Sequence, residues 1–199
     1  DELTGQFWSP TPLPARGASP TVIRHGFGYT VFEHTENGIV SELWVYVAVD
    51  APVKFMILKV RNASGRQRRM SVTGYWEWVL GDVRNKSLLH VQTEVDLKTG
   101  ALLACNPYNT EFPGRTAFLD VNDATRTLTG DRKEFIGRNG SLAQPAALKR
   151  TRLSGKVGAG LDPCGALQVA FTLQDGQERI TRFRLGVGRD PDDVQNLIQ

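Results

Sequence analysis

An all-β antiparallel sandwich is the fold class this sequence predicts, and three observations predict it. Short runs of β-branched and aromatic residues recur along most of the chain. Several alternate apolar and polar residues with the period of two that suits a half-buried strand. Turn chemistry punctuates them at Asp50-Ala51-Pro52, Lys98-Thr99-Gly100, Thr129-Gly130-Asp131 and Gln174-Asp175-Gly176.

The elements follow in order. Residues 1–20 hold four prolines and no periodicity, so they read as an extended lead-in. In RHGFGYTVFEHTENGI, residues 24–39, a strand places Tyr29, Val31 and Glu33 on one face and Phe32 and His34 on the other. Arg24 and His25 stand just before that strand. Residues 39–49, IVSELWVYVAV, set Ile39, Leu43, Val45, Val47 and Val49 against Glu42, Trp44 and Tyr46. Residues 53–60 (VKFMILKV) and 70–80 (MSVTGYWEWVL) are the next strands, and RNASGRQRR between them reads as a hairpin. Further strands are expected at 88–95, 101–105, 116–121, 166–173 and 179–187. Residues 130–161 carry many glycines and prolines and read as an excursion lying on the sandwich. Only RDPDDVQNLIQ, residues 189–199, has helix signals: Asp190 as cap, Pro191 in the first turn, and Val194, Leu197 and Ile198 on one face. The sandwich is therefore expected over residues 21–189 and the start of a linker helix over 190–199.

Bulk properties narrow the function. With 199 residues the chain can bury roughly 70 % of its unfolded surface, so its core needs no covalent staples. Its 24 basic and 21 acidic residues leave a net charge of only +3. The densest basic run, residues 61–69, sits between two strands and reads as a solvated tip instead of a nucleic-acid surface. No stretch of about 18 apolar residues exists to span a membrane, and no leader is visible. Both ends read as cuts from a longer polypeptide. Cys105 and Cys164 are the only cysteines and form no C-x-x-C pair, which favours a reduced, cytoplasmic setting.

Two stretches are crowded enough to carry chemistry. The first is residues 24–39, where Arg24, His25 and Tyr29 bring hydrogen-bonding groups beside aromatic faces. A sugar ring needs that mixture, but a strand with polar ends uses it as well. The second is NPYNTEFPGR, residues 106–115, a loop shaped by proline and glycine and equipped with Asn106, Tyr108, Asn109, Glu111 and Arg115. It is either an ordered turn whose asparagines bond backbone or a loop projecting into a ligand site or interface. Metal binding is not expected, because His25, His34 and His90 have neither helical spacing nor cysteine partners. No cofactor motif is present: GRNGSL, residues 137–142, lacks the Walker pattern. Glu77, between Trp76 and Trp78, points away from both and reads as solvated or ion-paired.

Together the strings WSPTPLP (residues 8–14), RHGFGYTVFEHTENGI, GYWEWVLG (74–81) and NPYNTEFPGR resemble the N-terminal β-domain of glycoside hydrolase family 94, formerly glycosyltransferase family 36. GDRKEFIGRNGSL (130–142) and GAGLDPC (158–164) extend the likeness to the phosphorylase-like region of bacterial cyclic β-1,2-glucan synthases, and it covers essentially the whole chain. The resemblance implies a β-supersandwich, similar to galactose mutarotase, preceding a helical linker and an (α/α)6 catalytic barrel. It implies a parent that acts as an inverting phosphorylase, anchored in the bacterial inner membrane through other regions. The acid of that chemistry belongs to the barrel, so no catalytic residue is assigned in this chain, which is expected to be inactive alone. The partners implied are a β-glucan oligosaccharide, the downstream barrel of the same chain and a second copy in a homodimer. Two other roles compete: an autonomous carbohydrate-binding module stacking sugar on Trp44, Tyr46, Tyr75, Trp76 or Trp78, and a mutarotase-like epimerase drawing on His25, His34, His90 and Glu33.

Overall fold

Extended runs rich in valine, isoleucine and aromatics fold as strands here because a pleated, half-buried surface accommodates their branched side chains. The computed structural model describes residues 1–199. In chain order its strands are β1 (Thr21–Gly26), β2 (Tyr29–Glu36), β3 (Ile39–Val47), β4 (Val53–Asn62), β5 (Arg68–Glu77), β6 (Gln92–Val95), β7 (Leu102–Cys105), β8 (Thr116–Val121), β9 (Thr127–Asp131), β10 (Pro163–Leu173) and β11 (Glu178–Gly188). The helices are short: α1 (Arg84–Ser87), α2 (Arg132–Ile136) and α3 (Pro191–Ile198). Eight strands form one antiparallel sheet in the order β1-β2-β3-β4-β11-β8-β7-β6, and β5-β10-β9 form a second. The antiparallel all-β class with a C-terminal helix is the one expected.

The hairpin expected between residues 53–60 and 70–80 does not form. β4 pairs with β3 and β11, whereas β5 pairs with β10 in the other sheet. Residues 63–67 therefore arch from one sheet to the other, and residues 174–177 arch back from β10 to β11 beside them. Period-two alternation marks a strand but does not say which sheet receives it. Asn62, fully buried, fastens the two arches together. Its amide donates to the carbonyls of Arg66 at 2.7 Å and Leu173 at 3.1 Å, and its Oδ1 accepts from the Ser64 hydroxyl at 2.7 Å. Nor is the basic run a free tip: Arg68 is buried and ion-pairs with Asp1 at 2.7 Å.

Four other expectations need correction. Arg24 and His25 lie within β1, an edge strand paired along its length with β2, and not before the first strand. Thr129-Gly130-Asp131, read as a turn, closes β9, and Asp131 then caps α2 by accepting from the Lys133 N–H. The strand expected at 88–95 begins only at Gln92, because residues 84–87 coil into α1 and the chain turns after it. Val47 and Val49 are exposed and do not join Ile39 in the core, since the strand ends at Val47.

The principal core lies between the sheets, where Met56, Leu102, Leu119, Val121 and Phe183 meet Leu167, Val169 and Trp78. A second cluster, on the outer face of the large sheet, joins Val53, Ala101, Leu103 and Phe118 to Val194 and Ile198 of α3. Asp190 caps that helix by accepting from the Asp193 N–H at 2.8 Å, as expected. Residues 1–20 form no strand or helix and wrap the opposite end of the large sheet. There the Glu36 carboxylate accepts from the N–H groups of Ala18 and Ser19, at 2.7 and 3.2 Å, beside the buried ring of His34.

Asn62→Ala should lower the free energy of unfolding by about 2–3 kcal/mol, because it orphans two backbone carbonyls at a buried crossing. Urea denaturation measures this directly, and an unchanged midpoint would show that the arches do not depend on the bond.

Candidate functional site

Antiparallel registers carry both crowded motifs to one end of the sandwich, opposite the arches at Asn62. The β1–β2 tip at Phe27-Gly28, the β3–β4 connection, residues 78–91, the 106–115 loop and α2 all emerge there. Within the large sheet, however, β3, β4 and β11 stand between β2 and β8. Four inter-strand steps of about 4.8 Å separate Tyr29 on β2 from β8 and the 106–115 loop, and five separate Arg24 and His25 on β1, so the two groups share an end but not a cleft.

The 106–115 loop is wired internally. Asn106 and Asn109 both donate their side-chain amides to the carbonyl of Leu80, at 2.8 and 3.4 Å. Their Oδ1 atoms accept from Tyr108 N–H and from the N–H groups of Glu111 and Phe112. Leu80 itself sits at φ 43°, a left-handed angle that costs a branched residue on the order of 1–3 kcal/mol. Two motifs that looked separate in the sequence, GYWEWVLG and NPYNTEFPGR, thus lock onto each other through one carbonyl. The asparagines serve the backbone, while Tyr108 (73 % exposed), Phe112 (56 %) and Glu111 project outward. The ring of His90 meets that of Tyr108 with centroids 4.4 Å apart. Arg115, exposed, follows the turn and adds a positive charge that helps hold the Asp193 carboxyl low, after the dominant hydrogen bonds from Arg189.

The hairpin divides its polar groups between two faces. Arg24 ion-pairs with Glu33 on the outer face. His25, on the inner face, holds Nδ1 3.0 Å from the Thr30 hydroxyl. Tyr29 stacks on Trp44 with centroids 5.2 Å apart, and Tyr46 stacks on Phe55 at the same distance. An open groove of about 520 Å³ runs beneath the tip, lined by His25, Tyr29, Thr30, Val45, Tyr46 and Lys54. The five aromatics proposed as one sugar platform are scattered: Trp78 is buried, Trp76 packs beside Phe183, and Tyr75 stacks on Phe135. Trp44 and Tyr46 share the outer face of the large sheet, whereas Trp76 and Trp78 both turn into the core between the sheets. The epimerase candidates do not face one another either. His34 is buried beneath the lead-in, Glu33 is paired on the other face, and His90 precedes the far edge strand.

A charged cluster that the sequence reading missed binds this end together. Glu77 lies 2.8 Å from Arg132 and 3.2 Å from Arg84, and Asp162 lies 2.5 Å from Arg84 and 3.4 Å from Arg132. Tyr75 donates its hydroxyl to Glu77 at 2.8 Å. Burial opposes ionisation of Glu77, but the bonds from Arg132 and Tyr75 and the charge of Arg84 outweigh it and hold the carboxyl below its ordinary range. Burial and the same carboxylate push the Tyr75 hydroxyl up. The only sequence signal was Glu77 itself, read as solvated or ion-paired; Arg84, Arg132 and Asp162 lie 7, 55 and 85 residues away and left no local pattern. Both cysteines are free thiols, Cys105 half-buried and Cys164 buried. No group of histidine, cysteine and carboxylate side chains is arranged to hold a metal.

Fold and site define an antiparallel β-sandwich domain of unequal sheets that presents interlocked loops at one end in place of an enclosed catalytic pocket. Residues 1–199 match the family described as glycosyl hydrolase 94, supersandwich domain, and the chain belongs to that family. It is 36 % identical over 201 residues to the cyclic beta-(1,2)-glucan synthase NdvB of Rhizobium meliloti (strain 1021), covering 100 % of this chain and 7 % of that protein. It is 28 % identical to the N,N'-diacetylchitobiose phosphorylase of Vibrio furnissii, covering 95 % of this chain and 24 % of the relative. The solabiose phosphorylase of Paenibacillus borealis is 26 % identical, over 100 % of this chain and 28 % of its own length. The chain thus spans between 7 % and 28 % of these relatives.

Acid should loosen the domain. Glu77, Asp96, Asp123 and Glu134 all titrate below their ordinary values of 3.8 to 4.5, burial being outweighed in each by hydrogen bonds to the charged form. Their stabilisation is complete above those ordinary values and is lost as pH falls through the lower folded ones. Melting followed by circular dichroism should therefore be nearly flat from pH 7 to about 5 and decline below about 4.5. Glu77→Gln should remove part of that decline, and coincident profiles for the two proteins would count against the cluster.

Proposed function

We propose that this chain is the non-catalytic β-domain of a phosphorylase-like cyclic β-1,2-glucan synthase. In this reading its loop end packs against an (α/α)6 catalytic barrel of the same polypeptide and helps shape the glucan site, with a second copy of the chain as a further partner. The parent works in the cytoplasm, held at the inner membrane by regions beyond these residues. One observation carries the reading. The 106–115 loop spends its asparagines on holding its own shape and leaves Tyr108, Phe112 and Glu111 presented from a rigid frame. Rigid exposed aromatics are what an interface or a sugar contact requires, since little side-chain freedom remains to be lost on binding. The 36 % identity to a glucan synthase over the entire chain supports the choice of parent.

In the parent enzyme, Tyr108→Ala combined with Phe112→Ala should reduce action on β-1,2-glucan at least tenfold while leaving the melting behaviour of the domain unchanged. Rates of glucan turnover equal to those of the unmodified enzyme would remove the reading.

A second reading, an autonomous carbohydrate-binding module, draws on the Tyr29–Trp44 stack, whose rings are 42 % and 37 % exposed. Calorimetry of the 199-residue chain with β-1,2-glucan separates the two. Heat of binding that disappears in Trp44→Ala supports the module, and no heat at about millimolar ligand eliminates it.

A further inference from the structure

Two asparagines of this chain stand directly before glycine, Asn37 and Asn139. That dipeptide carries a reaction of its own. Glycine has no side chain to screen its nitrogen, which can attack the asparagine Cγ, close a five-membered succinimide and expel ammonia. Water then opens the ring to aspartate, or to isoaspartate, in which the backbone runs through the former side chain. The fold decides whether a given pair reacts, because the asparagine must rotate its backbone to bring nitrogen and Cγ together.

Asn37 is held away from that geometry. With Gly38 it forms the two-residue turn of the β2–β3 hairpin, at φ 51° and 77°, and Glu36 pairs with Ile39 directly behind it. Its carbonyl accepts from the buried Arg68 at 2.7 Å, and its side-chain amide donates to Gln6 at 3.2 Å. The Gly38 carbonyl accepts from Ala63 N–H at 2.8 Å. Ring closure at this position has to disturb the hairpin, the arginine bond and the lead-in contact together.

None of these restraints acts on Asn139. It lies in an exposed turn between α2 and residues 141–144, and its side chain makes no hydrogen bond. The backbone bond across the turn, from Gly140 N–H to Gly137 O, is stretched to 3.4 Å, past the ordinary range for such a bond. Packing also fixes the second residue of the pair. A Cβ on Gly140 would fall 2.0 Å from the carbonyl oxygen of Ile136, so only glycine fits there. The close approach that lets this turn fold back on α2 therefore leaves the attacking nitrogen unscreened.

We propose that Asn139 is a site of spontaneous covalent modification, converted to aspartate and isoaspartate in the folded domain while Asn37 persists. The Gly140 nitrogen bonds to Asn139 Cγ, the Cγ–amide bond breaks, and the Gly140 proton departs with the amide as ammonia. Water, the one co-reactant, then cleaves either carbonyl bond of the ring and leaves a carboxylate. The new charge stands beside Arg138, and the isoaspartate product lengthens the turn after α2 by one methylene.

The 199-residue chain, held folded in warm, mildly alkaline buffer and followed by peptide mass spectrometry, should convert residue 139 at least tenfold faster than residue 37. In concentrated urea the two should convert at equal rates, because the sequence pair is the same and only the fold distinguishes them. Asn139→Gln should remove the fast phase of ammonia release and leave melting unchanged. Equal rates in the folded chain, or faster conversion at Asn37, overturn the proposal. So does an Asn139 that stays intact in the folded chain over the time in which the unfolded chain reacts.

Discussion

Three strands cannot cover eight. At a spacing of about 4.8 Å the small sheet spans little more than a third of the width of the large one, and the remaining face must be shielded by something else. Most of the irregular structure answers that need. α3 lies on the outer face over Leu103 and Phe118, the lead-in caps the inner end near His34, and residues 155–162 seal the gap between β6 and β9. These segments gave weak periodic signals because each makes contact along one short side only. A strand inside a sheet is bonded on two edges and packed on two faces, which imposes a repeating pattern. A covering segment is held by a few backbone carbonyls and one or two apolar anchors, as Trp8 is against the Ile39–Leu58 cluster.

The same asymmetry explains why some elements were legible in the sequence and others were not. Residues 116–121 and 101–105 form interior strands of the large sheet, buried on both faces, and their apolar runs read correctly to within a residue. β1 was overlooked because it is an edge: five of its six residues are exposed, so the alternation that burial enforces is missing. β9 was taken for a turn because Thr-Gly-Asp is turn chemistry. Here Gly130 is needed for another reason: a Cβ would fall 2.5 Å from the Thr93 hydroxyl, where the two sheets approach. The loop at 61–69 was given the wrong topology because a polar, glycine-containing connection serves a hairpin and an arch equally well. Asn62 decides between them, and nothing in its own sequence neighbourhood shows that its side chain must reach Leu173.

At the loop end, the sequence showed which residues were concentrated but not what they bonded. Asn106 and Asn109 were open to two readings, a turn whose asparagines bond backbone or a loop reaching a ligand or interface, and their amides form a clasp on Leu80. Glu77 was read as solvated or ion-paired, and it is ion-paired, but Arg84, Arg132 and Asp162 had no visible connection to it. Long-range pairs of this kind leave no trace in local spacing.

The electrostatics of this end bear on what it can contact. Glu77 and Asp162 are shared by Arg84 and Arg132, Arg24 is answered by Glu33, and Lys156 by Asp131. An end whose half-buried charges are already paired gains little from meeting another charge, because any new partner must first displace an existing one. Besides the exposed Glu111 and Arg115, what stands free is aromatic and amphipathic: Tyr108 beside His90, Phe112, and the stacked Tyr29 and Trp44. Such groups favour the apolar face of a sugar or the packed surface of a neighbouring domain over a phosphate or an acidic peptide. Chemistry on a glycosidic bond needs an acid placed against the leaving oxygen, and Glu77 is instead held low by its bonds from Arg132 and Tyr75 and the charge of Arg84, the opposite of what a general acid requires. The pairing that gives the loop end its rigidity is therefore also what keeps Glu77 ionised.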